Sequence, residues 1–134
     1  MKMKKYDIKS KIDNWCGFYE WNKPTFYVNK KDERYQKFVD QKKECGFTDE
    51  ETWSLYNNIA LFIAPRLKRF IEIIEDGVGT PVEFTQEEWI NILNKMLYSF
   101  EKLADENKVY SDEEYQKIQE GIDLFGQYFM SLWW

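Results

Sequence analysis

The sequence contains no histidine. That absence removes the usual general base of hydrolytic triads, the commonest metal ligand and the side chain that changes charge near neutral pH. Cysteine is nearly absent too: Cys16 and Cys45 stand far apart with no CxxC spacing, which gives no zinc site. Long apolar runs are missing, since the longest in the central helix is Ile59 to Ala64, against the ~20 residues that a membrane span requires. No apolar h-region of a secretory signal stands near the start. The expectation is therefore a cytoplasmic protein with reduced thiols and no membrane partner. Positive charge is in deficit as well. A formal net charge of −5 argues against a sequence-blind electrostatic grip on nucleic acid.

What the chain has in quantity is aromatic residues, with six Trp, nine Tyr and ten Phe among 134 residues. Each removes about 150 to 250 Å² from water when buried, so a single domain spanning 1–134 can build a real core. Three helix beginnings share one heading: TDEE at 48–51, TQEE at 85–88 and SDEE at 111–114. Each fits a capping box, in which the Thr or Ser oxygen takes the N3 amide proton while the N3 glutamate reaches back to the cap amide. Phe84 with Trp89, and Tyr110 with Tyr115, add hydrophobic staples to the second and third.

The first heading opens a helix predicted over 49–76, with Tyr56, Ile59, Ala60, Ile63, Leu67, Phe70, Ile71 and Ile74 on one stripe. Gly77 is placed to close it in the left-handed region. The second helix carries Trp89, Ile92, Leu93, Met96, Phe100 and Leu103, and should end near Asp105 or Glu106. The third carries Tyr115, Ile118, Ile122, Phe125, Phe129 and Leu132 in the rhythm of a narrow packing seam. Gly121 and Gly126 weaken it by about 1 kcal/mol each and suit close backbone approach. The short connections 76–84 and 105–110 favour antiparallel neighbours. The reading is an all-α, compact antiparallel helical bundle: three main helices over 48–134, a short helix over 31–45 closed by Gly46, and residues 1–30 as an aromatic arm or small hairpin.

The predicted 49–76 helix is apolar on two sides, because Leu55, Phe62 and Ile73 fall nearly opposite the main stripe with Arg66 and Arg69 between. Such a helix is normally buried on both faces and central to the fold. The aromatic arm is one candidate cover for the second face, with the arginines reaching solvent or pairing with acids such as Glu72. The other reading leaves part of that face open, where Arg offers planar recognition of carboxylate or phosphate. Pro65 lacks the amide proton that Leu61 would accept, so a kink is predicted there.

Most acid clusters are explained by helix starts. DGVGT at 76–80 has no following GK[ST] and no preceding strand, so it is no phosphate cradle. Ser54 and Cys45 lack an activating partner. No enzyme, metal or cofactor is expected. The segment FGQYFMSLWW at 125–134 carries Trp133 and Trp134, which either dock into the bundle or serve as an intermolecular anchor. Aromatic residues beside Arg and Lys could also stack a base and hold a phosphate.

The segments FTDEETWSLYNNIALFIAPRLKRFIEI, EEWINILNKMLYSFE and EGIDLFGQYFMSLWW resemble small uncharacterised proteins encoded by bacteriophages. The likeness covers residues 46 to 134 and is carried by the WSL, IA, PRLKRF and EEW signatures; the first 45 residues do not share it. It implies a phage accessory protein acting in the cytoplasm of an infected bacterium, against a host defence. The leading expectation is a non-catalytic binding protein that docks on a bacterial host or defence protein through Trp53, Arg66, Lys68, Arg69, Trp133 and Trp134. Its alternatives are a binder or sponge of a nucleotide-like small ligand, and a virion or assembly component. A homo-oligomer is left open.

Overall fold

The computed structural model describes residues 30–105 and 108–134. The aromatic arm or hairpin expected at the start of the chain lies outside the described residues. Those residues are all-α, with no strand among them: α1 (Arg34–Cys45), a 3-10 helix (Asp49–Thr52), α2 (Leu55–Glu75), α3 (Gln86–Leu103), α4 (Asp112–Gln127) and a second 3-10 helix (Phe129–Ser131). None of these helices is long and apolar enough to cross a membrane. The chain divides into two compact units, Met1–Asn58 and Ile59–Trp134.

In the first unit α1 ends at Gly46, whose φ of 81° allows its amide to bond the Lys42 carbonyl. The TDEE heading forms its capping box, but on a 3-10 helix rather than an α-helix. The predicted 49–76 helix is thus two elements. Thr52 explains the break: its hydroxyl donates to the Asp49 carbonyl at 2.6 Å, competing with the helical backbone, and residues 53 and 54 form a turn. Glu51 ties the unit together. One carboxylate oxygen accepts the Thr48 amide and the other the Lys42 ammonium at 2.9 Å, while the Glu51 carbonyl accepts from Asn58 Nδ2 at 2.6 Å. Lys42 is only 3% exposed, so this pair satisfies a charge that would otherwise be costly to bury.

The second unit is a bundle of the remainder of α2 with α3 and α4. Ala60, Ala64, Leu67, Ile71 and Ile74 of α2 share one buried cluster with Trp89, Leu93, Met96 and Phe100 of α3, and Ile122, Phe125 and Tyr128 pack against it. The stripes predicted on all three helices therefore face one core. Tyr56 and Ile59 of the α2 stripe are exceptions, both exposed, as are Tyr115 and Phe129 of the stripe predicted on the last helix. Gly77 closes α2 at φ 100°, and Gln86 Nε2 caps it from the side by donating to the Ile74 carbonyl at 2.6 Å. Both predicted staples form: Phe84 stacks on Trp89 at 5.7 Å, and Tyr110 meets Tyr115 edge-on at 5.4 Å.

The antiparallel pairing of α3 and α4 is fixed at three levels. Lys102 meets Glu114 at 3.2 Å near one end, and Lys95 meets Glu120 at 2.7 Å. Between them the buried Ser99 hydroxyl donates to the Ile118 carbonyl at 2.8 Å. Gly121 permits that approach, since a methyl group there would lie 1.9 Å from Ser99 Oγ and 2.3 Å from the Lys95 carbonyl. Gly126 differs from expectation, with nothing within 4 Å of such a group. The α-helix also stops at Gln127 instead of running to Leu132. Beyond it Tyr128 turns its ring edge-on to Phe84 at 5.4 Å and Trp89 at 5.7 Å, which bends the chain into the closing 3-10 helix.

Candidate functional site

The candidate residues fall into three places. Trp53 belongs to the first unit, exposed at the end of the first 3-10 helix. Arg66, Lys68 and Arg69 lie within one turn of α2, next to Pro65, through which the helix continues. Arg66 is folded back on its own helix: a guanidinium nitrogen donates to the Phe62 carbonyl at 2.9 Å, and its central carbon lies 3.8 Å over the Phe62 ring. Burial of the guanidinium lowers its pKa. Arg69 donates to Glu72 Oε2 at 2.7 Å, the pairing anticipated from the sequence, and Lys68 is exposed. On the second apolar face, for which the sequence left both a covered and a partly open reading, Phe62 and Leu55 are exposed and Ile73 is buried.

Trp133 and Trp134 lie at the end of the bundle where α2 gives way to α3 and where α4 finishes. Their backbone is held. The Ser131 amide bonds the Tyr128 carbonyl at 2.9 Å and the Trp133 amide bonds the Ser131 carbonyl at 3.0 Å. Trp134 rests directly on the α2–α3 connection, because a methyl group at Gly79 would come 2.7 Å from its Cβ and 2.9 Å from its Cα. Gly79 has φ 75°, a conformation that favours glycine and leaves room for this contact. Yet the two residues remain 70% and 64% exposed. The backbone is held while most of the surface of both residues is exposed.

Other exposed apolar side chains share this pole. Phe129 and Met130 lie on the second 3-10 helix and Val78 and Val82 on the α2–α3 connection, all exposed. Phe129 is anchored from below, its ring meeting Phe125 at 5.4 Å, which in turn meets Phe100 of the core at 4.8 Å. No family model, curated protein or solved structure matches this chain. Its chemistry is therefore read from its own side chains. Among the described residues no group of three acids or cysteines is placed to hold a metal ion.

Charge also marks the pole. No lysine or arginine occurs over 70–94 or 118–134, the stretches that build it, although acids do. Glu75, Asp76, Glu83 and Glu87 are all exposed there. Sequence reasoning singled out the two tryptophans but missed Val78, Val82, Phe129, Met130 and these acids. The cation-free stretches were the readable signal, and the antiparallel topology shows that they converge.

Proposed function

We propose that this chain is a non-catalytic accessory binding protein, of the phage type its sequence resembles, that docks on a bacterial host or defence protein. The observation that carries the reading is the combination at the aromatic pole: backbone held by Gly79 and by the 3-10 hydrogen bonds, with two tryptophan residues left mostly exposed. Exposed Trp on a fixed backbone loses little conformational entropy on association and supplies the side chain most enriched at interface hot spots. The nucleotide-like ligand is less well supported. It would require Arg66 and Arg69 to give up their contacts with the Phe62 carbonyl and Glu72.

The test is capture from bacterial lysate on the immobilised full chain, followed by reconstitution with the purified captured protein. The reading expects a direct complex that is lost in the Trp133→Ala, Trp134→Ala double variant at unchanged melting temperature. Thermal stabilisation by a nucleotide that disappears in the Arg66→Ala, Arg69→Ala variant would replace it with the ligand reading, and assembly into particles with the virion one.

A further inference from the structure

We infer that the aromatic pole takes a basic, apolar segment of its protein partner, with lysines or arginines set against the acids of the pole and apolar side chains against Trp133 and Trp134. This rests on the binding reading above and names the chemistry of what is bound. Elsewhere in the bundle several acids are answered by cations within the fold, Glu72 by Arg69, Glu113 by Lys117, Glu114 by Lys102 and Glu120 by Lys95, although Glu101, Asp112 and Asp123 form no ion pair among the described residues. Glu75, Asp76, Glu83 and Glu87 have no such answer among the described residues, and each is exposed. These unneutralised carboxylates stand on the elements that carry Val78 and Val82, at the pole where Trp134 meets Gly79.

An exposed apolar centre bordered by charge of one sign selects its partner by complementarity, since like charge brought against it costs several kcal/mol. Indole faces add to the preference, because a cation over a Trp ring is attracted by the ring quadrupole. The same border disfavours three other occupants. A second copy joined pole to pole would set carboxylates against carboxylates. Nucleic acid and an anionic membrane surface would meet like charge as well.

The experiment is selection from a random-peptide display library on the intact chain, with the selected peptides then synthesised and their affinities measured against increasing salt. Selected peptides should carry net positive charge together with aliphatic or aromatic residues. Their affinity should fall about tenfold or more in the Trp133→Ala, Trp134→Ala variant. It should fall severalfold at raised salt, and likewise in a variant with Glu75→Gln, Asp76→Asn, Glu83→Gln and Glu87→Gln, whose apolar surface is intact. Neutral or acidic winners, or affinity indifferent to salt and to the charge-neutral variant, would overturn the inference. Binding that survives the tryptophan substitutions but is lost in Arg66→Ala, Arg69→Ala would overturn it and leave the binding function standing. No enrichment at all would overturn both. A dimer in sedimentation that dissociates in the tryptophan variant would replace the basic partner with a second copy.

Discussion

Trp89 is the residue on which the second unit turns. It is fully buried, stacked on Phe84 and met edge-on by Tyr128, and its indole N–H has no hydrogen-bond partner among the described residues. An unsatisfied buried donor costs about 1 to 3 kcal/mol, which opposes the gain from burying the ring. Trp89→Phe should therefore cost less than about 2 kcal/mol in denaturant unfolding, because lost volume is offset by removal of the orphan donor. Trp89→Ala removes the same donor but opens a far larger cavity, and should cost about 3 to 5 kcal/mol. The two glycines of α4 make a second pair of opposites. Gly121→Ala drives a methyl group into Ser99 and the Lys95 carbonyl and should destabilise by about 1 to 3 kcal/mol. Gly126→Ala meets nothing, so it should stabilise by up to ~1 kcal/mol through helix propensity. The sequence presents these glycines as equals. Only the packing of α3 on α4 separates them.

At the scale of elements, three near-identical headings produce two α-helices and one 3-10 helix. The box itself is local and was legible in each case, because its partners lie three residues apart. The residues after the box decide the outcome: 48–51 leads into Thr52 and Ser54, which divert the chain into a turn, whereas 85–88 and 111–114 lead into Trp89-Ile90 and Tyr115-Gln116 on periodic helical stretches. Thr85→Ala and Ser111→Ala should each cost about 1 kcal/mol in unfolding free energy. The start of α4 should also be acid-sensitive. The Ser111 amide, and then the Lys102 ammonium, hold the Glu114 carboxyl below its ordinary pKa. A carboxyl depressed in the folded state stabilises above its unfolded pKa and loses that contribution as pH falls through its folded value. The melting temperature should accordingly fall on acidification below about pH 5, and less steeply in Glu114→Gln, whose baseline is already lower. Lys102, raised first by its hydrogen bond to Glu114, contributes in the opposite window and loses its share only as strongly alkaline pH is approached.

For the molecule as a whole, function reads from how charge and aromatic surface are distributed rather than from a catalytic constellation. Helix starts, staples and the glycine closures at Gly46 and Gly77 were legible because their partners are near in sequence. The pairing of Arg69 with Glu72 was legible for the same reason, at a spacing of three residues on one helix. The exposure of Trp133 and Trp134 was not legible, because it depends on Tyr128 packing edge-on against both Phe84 and Trp89 and on Gly79 receiving the backbone of Trp134. Gly79→Ala should test that arrangement by strain and contact together. It should cost about 1 kcal/mol or more and change the Trp134 environment seen by tryptophan fluorescence. The most direct test of the docking claim is hydrogen exchange on the intact chain, free and saturated with its captured protein partner. New protection confined to 78–84 and 129–134 is the predicted result; protection centred on Phe62 to Arg69, with the pole unchanged, would contradict it.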